Sequence, residues 1–412
     1  MSTVESVGSA SSSRRAVLVV LAGALILSAA MGIRQTFGLY LDPFALERGV
    51  PVGMLALAIA LHNLVWGLTQ PFVGAVADRY GAAPVVAAGA VAYAAGLGVA
   101  AITSSGVVLV LGMGLLVGLG MSGTTFGVVL TAIGRSASPE KRSLAMGLAG
   151  AGGSLGQVAL VPITQMGIEG WGLAASLSAL AILMLVVVPL GLLLDRRDQA
   201  TTAVEELRTP PLGDILAQAV RHPGYRLLTI GFFTCGFQLA FIATYLPGYL
   251  SLCHMPIGLG ATALALIGLF NMIGSWACGW LGGRFRQQYV LGWLYLVRGV
   301  AIAAFFLLPK NDLSVVLFAA VMGLTWLGTV PLTSGWVAKV FGTGHLGTLF
   351  GVCFLSHQIG SFLGAWLGGF VYELTGSYNI IWGLTAASGA IAALLHFPIK
   401  DLSPNPPVPV RL

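Results

Sequence analysis

The sequence predicts an all-α integral membrane protein with twelve transmembrane helices in two pseudo-symmetric six-helix bundles, and three observations carry that prediction. Of 412 residues, 57% are hydrophobic and only 8% charged, too little polar surface to cover a soluble protein of this length. Apolar stretches of about 20 residues or more recur from Ala16 to Ile399 between short polar loops. The longest polar segment, Asp195 to Arg226, contains Thr209-Pro210-Pro211, which breaks any helix passing through it and divides six spans from six.

In chain order the spans are expected near residues 16–45, 53–77, 83–103, 107–134, 143–168 and 171–194, then 227–252, 260–283, 288–308, 313–340, 346–371 and 378–398. The first of these follows Ser12-Ser13-Arg14-Arg15 and resembles a secretory leader. Its apolar run continues past Ala29 and Ala30 into Phe37 and Tyr40, so it reads as a retained helix. The expected domains are a cytoplasmic tail 1–15, a first bundle 16–194, a cytoplasmic linker 195–226, a second bundle 227–398 and a cytoplasmic tail 399–412. Within the linker, Leu212, Ile215, Leu216 and Val220 fall on one side of a short helix lying on the membrane surface.

Basic residues set the orientation. With both termini cytoplasmic, sixteen of the twenty Lys and Arg fall on that side, and only Arg48 and Lys310 fall outside. Topology therefore accounts for the formal charge of +6 without a nucleic-acid partner. The expected setting is the lipid bilayer of an inner or plasma membrane, with the protein a monomer. Cys235, Cys253, Cys278 and Cys353 lack metal-ligand spacing and read as small core thiols.

The two halves echo each other. Gly74-Ala-Val-Ala-Asp78-Arg79-Tyr80 after span two matches Gly279-Trp-Leu-Gly-Gly283-Arg284-Phe285 after span eight, and Gly32-Ile-Arg34 matches Gly236-Phe-Gln238. Repeated halves suit alternating access around a midplane site. Gly118-Leu-Gly120-Met-Ser-Gly123 fits a dinucleotide fingerprint by letter, but it lies inside span four with no strand before it. Close helix packing explains it better.

The segment Gly74 to Gly81, Gly-Ala-Val-Ala-Asp-Arg-Tyr-Gly, resembles the cytoplasmic loop signature of the major facilitator superfamily, and the six-plus-six layout is similar to that fold over nearly the whole chain. Within it the pattern most resembles the monocarboxylate porter and oxalate/formate antiporter branch. The supporting residues are Phe37-Gly38 with Tyr40, Arg142 with Ala145-Met146-Gly147 and Gly153-Ser154-Leu155-Gly156, and Asn271-Met-Ile-Gly274. The chain departs from the pattern at Ala82-Ala83-Pro84, where basic residues are usual, and at Ser275, where the branch commonly has an arginine. The resemblance implies that spans one, two, four, five, seven, eight, ten and eleven line a cavity and the others sit outside it.

Ionisable groups at bilayer depth are few: Arg34, His62, Arg298 and His357. An arginine in hydrocarbon costs roughly 2.5 to 3.5 kcal/mol on insertion scales, so each needs a polar cavity or a partner. His357 lies about 11 residues into span eleven, about 16 Å along the helix, while His62, Trp66 and Gln70 form one stripe in span two. No Asp or Glu falls in the middle of a span, so a proton-coupled carrier would have to use Asp42 or a histidine, His357, and the protein is otherwise an exchanger or a facilitator. On the cavity that the resemblance implies, Arg34 and His357 are the pair expected to grip an anion. His62, Tyr40, Gln238, Tyr245, Asn271 and Ser275 are further substrate-binding candidates, and Asn63, Gln157 and Gln358 are other uncharged polar groups in reach. Gly74, Asp78, Arg79, Arg142, Arg284 and Arg298 are expected in structural or conformational roles.

The expected function is secondary active or facilitative transport of a small organic anion, a carboxylate, by rocker-switch alternating access, with protons as candidate co-substrates. Two alternatives stand beside it: an exporter of amphipathic organic compounds, and a non-transporting membrane receptor. An enzyme is not expected, since no nucleophile, base or metal set converges, and neither a cofactor nor a metal is called for.

Overall fold

In hydrocarbon the backbone must satisfy its own hydrogen bonds, and this chain does so with helices alone among the described residues. The computed structural model describes residues 2–194, 211–256 and 259–401. The first half comprises α1 (Ser2–Gln35), α2 (Leu41–Arg48), α3 (Val52–Tyr80), α4 (Ala82–Ile102), α5 (Gly106–Leu109), α6 (Val117–Thr124), α7 (Phe126–Ser136) and α8 (Arg142–Leu194). After α9 (Leu212–Arg221) the second half comprises α10 (Pro223–Leu252), α11 (Leu259–Arg284), α12 (Gln287–Leu307), α13 (Asp312–Thr325), α14 (Thr329–Phe341), α15 (Leu346–Thr375) and α16 (Asn379–His396).

Ten helical segments among the described residues are long and apolar enough to cross a bilayer. One of them, α8, reverses at Gly172, whose φ of 80° suits a residue without Cβ, and so supplies two spans. The 29-residue α3 packs between α15 and α6 as one more. The twelve-span layout follows.

Three expected spans are not straight helices. Span one stops at Gln35, because the backbone N–H and Oγ1 of Thr36 both turn back to the Ile33 carbonyl, at 3.0 and 2.8 Å. A 3₁₀ turn, Phe37–Tyr40, follows, and α2 then starts with Pro43 in its first turn, where a missing N–H costs nothing. Span four breaks at Thr125, which is extended with φ −119° and ψ −160°. Span ten breaks over Trp326–Gly328 between α13 and α14. The surface helix α9 also differs from expectation: Ile215 and Ala219 are its buried residues, whereas Leu212 and Val220 are exposed.

The halves meet along two antiparallel crossings that start at the end of the bundle carrying Arg79, Arg135, Arg142 and Arg284, here the basic end. In the first, α15 runs along α3, with Gly347 on Gly74, Gly351 on Pro71 and Gln358 on Gly67. In the second, α8 runs along α11, with Gly147 on Gly279, Gly150 on Ser275 and Val158 on Gly268. A Cβ on Gly74 would run into the Gly347 carbonyl, and one on Gly147 would sit 2.6 Å from the Gly279 Cα, so backbone meets backbone at both crossings.

Asp78 locks the first crossing. Its carboxylate accepts from the Gly347 and Thr348 backbone N–H groups at 3.0 and 2.8 Å and from the Thr348 hydroxyl at 2.8 Å, capping the N-terminus of α15 from the other half. Arg135 joins it at 2.8 Å and also donates to the carbonyls of Thr343 and Gly344. The described hydrogen bonds between the halves reach Asn63, about 22 Å along α3 from Asp78, and Asn271 on the second crossing. Asp78→Asn keeps the shape but discards charge-assisted bonds, a loss of about 2 kcal/mol, or roughly thirtyfold in favour of an open basic end. Faster alkylation of a cysteine at Ser334, a buried seam residue that donates to Met146 across the halves, measures that shift.

Candidate functional site

Arg34 occupies the last turn of α1, where the chain leaves its helix, and this position turns the guanidinium toward α3. Its Nη2 donates to Asn63 Oδ1 at 2.9 Å, its Cζ stands 5.8 Å from the centre of the Trp66 ring, and its buried Nε has no partner. No carboxylate pairs with it among the described residues.

From Asn63 a hydrogen-bonded chain crosses to the second half. The Asn63 carbonyl accepts from Gln358 Nε2 at 2.9 Å, and Gln358 Oε1 meets His357 Nδ1 at 3.1 Å. Phe232 and Phe354 flank the His357 ring at 4.9 and 5.4 Å, and its Nε2 is left without a hydrogen bond. Arg34 and His357 are thus joined through two neutral amides. Both ends of the chain keep a polar atom unsatisfied, a donor at Arg34 Nε and, because Nδ1–H donates to the Gln358 amide oxygen, a lone pair at His357 Nε2, and a buried polar atom without a partner is expensive.

The other expected site residues divide between this level and the interior of one half. His62 is buried edge-on against Phe37, 5.5 Å between ring centres, and neither ring nitrogen meets a partner side chain. Trp66 donates to Gln70 at 2.9 Å, and Gln70 to the Ser122 carbonyl at 3.2 Å, so the stripe on α3 is internally tied. Asn271 donates to Ser154 at 2.9 Å across the halves and accepts from Ser275 and from the Leu327 backbone N–H, at 3.2 and 3.0 Å. It pins the second crossing to the break in span ten.

Tyr40, Gln238 and Tyr245 are not brought to Arg34. Tyr40 is fully buried and bonds the Ser176 hydroxyl at 2.9 Å inside the first half. Gln238 donates to the Thr385 carbonyl at 3.0 Å and accepts from Arg298 at 3.4 Å inside the second. The Tyr245 hydroxyl donates to the Ala365 carbonyl. The Asp42 side chain lies outside the described residues, and the break at Thr36 separates its helix from that of Arg34.

Arg298 is wholly enclosed: it donates to Cys235 Sγ at 3.3 Å, to the Trp326 carbonyl at 2.9 Å and to the Thr325 carbonyl, the groups freed by the break in span ten. Arg142 donates to the Gly134 carbonyl at 2.8 Å, while Arg79 and Arg284 lie over the rings of Tyr80 and Trp280. The sequence reading passed over Arg135 and Thr348, the partners of Asp78. Nothing in their local spacing marks them, because each meets Asp78 only across the folded bundle.

Comparison with known proteins accords with this architecture. The family model of the Major Facilitator Superfamily matches residues 18–365. An uncharacterised MFS-type transporter of Bacillus subtilis, YcxA, is 25% identical over 372 residues, covering 88% of this chain and 90% of that one. Monocarboxylate transporter 13 of Rattus norvegicus is 26% identical over 399 residues, covering 92% and 89%. The oxalate:formate antiporter of Oxalobacter formigenes is 23% identical over 382 residues, covering 92% and 90%. The fold is similar to the crystal structure of the Escherichia coli fucose:proton symporter, with a TM-score of 0.68 at 15% identity over 92% of this chain and 97% of that one.

Proposed function

The chain belongs to the Major Facilitator Superfamily, and on that premise we propose that this transporter carries a small organic anion, a carboxylate, by alternating access, with its basic end in the cytoplasm. The observation that carries the reading is the chain from Arg34 through Asn63 and Gln358 to His357, with an unsatisfied nitrogen at each end. A carboxylate between them would give Arg34 a bidentate partner and, with Nε2 protonated, would accept from a His357 imidazolium whose Nδ1–H stays on the Gln358 amide oxygen, so the bonds to the anion are charge-assisted. Relatives named monocarboxylate transporter 13 and oxalate:formate antiporter support the same chemical class.

In this reading the two bundles, 16–194 and 227–398, rock about the level of Asn63 and Gln358, and the linker 195–226 ties them. Residues 195–210 of that linker lie outside the described residues. Proton coupling by His357 enters through its free Nε2.

Counterflow in proteoliposomes tests the proposal. A carboxylate trapped inside should drive uptake of labelled carboxylate, and amphipathic cations should neither drive nor compete with it. Flux driven by amphipathic cations alone would replace this reading with the exporter. No flux for any solute, with inserted protein, would favour the receptor.

A further inference from the structure

A buried arginine ordinarily pairs with a carboxylate, and Arg298 pairs with a thiol. Among the described residues no Asp or Glu forms an ion pair with it, and its Nη1 donates to Cys235 Sγ at 3.3 Å. Cys235 is fully buried, and its sulfur also meets the Thr329 hydroxyl at 3.2 Å and the Trp326 carbonyl at 3.9 Å. A hydroxyl can accept from a thiol or donate to a thiolate, so Thr329 suits both states of the sulfur. A thiolate would also give the guanidinium the counter-charge it lacks.

A base for that proton lies on the facing helix. Here α10 and α15 touch backbone to backbone, since a Cβ on Gly236 would run into the His357 carbonyl. Phe232, one turn before Cys235 on α10, stands 4.9 Å from the His357 ring, and that ring bears on the Cys235 sulfur. Gln358 holds Nδ1, so Nε2 carries the free lone pair, in a residue only 8% exposed. The other groups around the pair are poorer donors. From α12 the Tyr295 ring lies 5.5 Å from Arg298 Cζ with its hydroxyl unpartnered, and a phenol parts with its proton less readily than a thiol. Cys278 of α11 stands near the same cation, but no described hydrogen bond joins them. Through Gln238, α16 adds the uncharged Thr385 and Ser388, and across the halves Gln358 meets Asn63, with Arg34 behind it.

We propose that Cys235 is the internal proton donor of the site: as a carboxylate settles between Arg34 and His357, the Cys235 S–H bond breaks and its proton forms an N–H bond at His357 Nε2. The electron pair stays on sulfur, as a thiolate held by Arg298 Nη1 and the Thr329 hydroxyl, while the imidazolium donates to the anion. When the anion leaves, the proton returns to sulfur. Arg298 thus gains a counter-charge at the moment Arg34 gains one, and exchange of one carboxylate for another takes no proton from either side of the membrane. The inference rests on the carboxylate reading above, and it adds where the proton of His357 comes from.

Infrared difference spectra of the full-length protein in lipid nanodiscs, with formate and oxalate as probes, test the donor through its S–H stretching band. A bound anion should remove one S–H band from the wild type and none from Cys235→Ser, and His357→Asn should keep the band. Counterflow supplies a second readout that a merely structural cysteine would not move. Between about pH 6 and 8 the wild-type rate should change by less than about twofold, because the proton is internal. In Cys235→Ser the hydroxyl is too weak an acid to serve, so His357 must draw its proton from solvent, and the rate should fall roughly tenfold per pH unit as pH rises above the imidazole range. An S–H band that survives saturating anion, or that is already missing from the anion-free wild type, overturns the donor and leaves the transporter reading standing. A flat pH profile in Cys235→Ser does the same. No binding or exchange of any carboxylate by inserted protein overturns both.

Discussion

Arg34→Ala should reach the membrane and fold, yet exchange carboxylate at about one hundredth of the wild-type rate or less. The magnitude comes from losing a charge-assisted, two-pronged contact to the substrate, about 3 kcal/mol, at 1.4 kcal/mol per tenfold. Folding should be spared because the described hydrogen bond of Arg34 goes to one neutral side chain, Asn63, and no backbone carbonyl depends on it. Arg34→Lys keeps the charge but not the planar fork, so an intermediate rate is expected. The initial rate of counterflow, normalised to inserted protein, checks the first expectation, and the melting temperature checks the second. A melting temperature that collapses in Arg34→Ala, with the residual rate tracking folded protein, would instead make Arg34 a structural cation.

Asn63→Ala separates the two roles further. It frees the guanidinium from its resting partner while leaving the Asn63 carbonyl for Gln358. If the amide only stores Arg34 between cycles, affinity for the anion should rise or hold while Arg34→Ala still abolishes exchange.

Much of the layout was legible from the sequence because hydrocarbon leaves few choices: long apolar runs, caps of basic residues and a Pro-Pro divider dictate spans and halves. The breaks were not legible. Thr36, Thr125 and Trp326 sit in runs as apolar as their neighbours, and what stops each helix is a side chain or a distant donor, as where Arg298 and Asn271 take up the groups around Trp326 and Leu327. The site was half legible for a related reason. A charge at bilayer depth announces itself, which singled out Arg34, His357 and Arg298. Uncharged polar groups do not announce which way they face, so Tyr40 and Gln238 are expected at the substrate and Asn63 and Gln358 only within reach of it, whereas the bundle bonds the second pair, and not the first, to Arg34 and His357.

The same sorting exposes how the halves have diverged. Tyr93 on α4 and Arg298 on α12 hold the same place in helices of equal length, 21 residues each. Tyr93 donates to the Ala30 carbonyl on α1, and Arg298 reaches Cys235 and Gln238 on the matching helix α10. One half thus keeps a neutral strut where the other has a buried cation. The cation stands beside a broken helix, whose carbonyls a phenol could not satisfy at two places at once.

Arg298→Met should therefore unfold the second half rather than merely slow it. The substitution is close in bulk and removes a buried charge, which alone would help. It also strands the Thr325 and Trp326 carbonyls and Gln238 Oε1 inside the protein. At about 1 to 3 kcal/mol for each unsatisfied group, the net loss is on the order of 3 to 5 kcal/mol, comparable with the whole stability of many domains. The expected result is a melting temperature lowered by many degrees and little folded protein on size-exclusion chromatography. Arg298→Lys should recover part of it, since an ammonium can take the place of Nη2 at the Thr325 and Trp326 carbonyls but cannot also reach Cys235 and Gln238 as Nη1 does. If Arg298→Met instead melts like wild type and exchanges carboxylate slowly, Arg298 acts on the anion and the break in span ten holds without it.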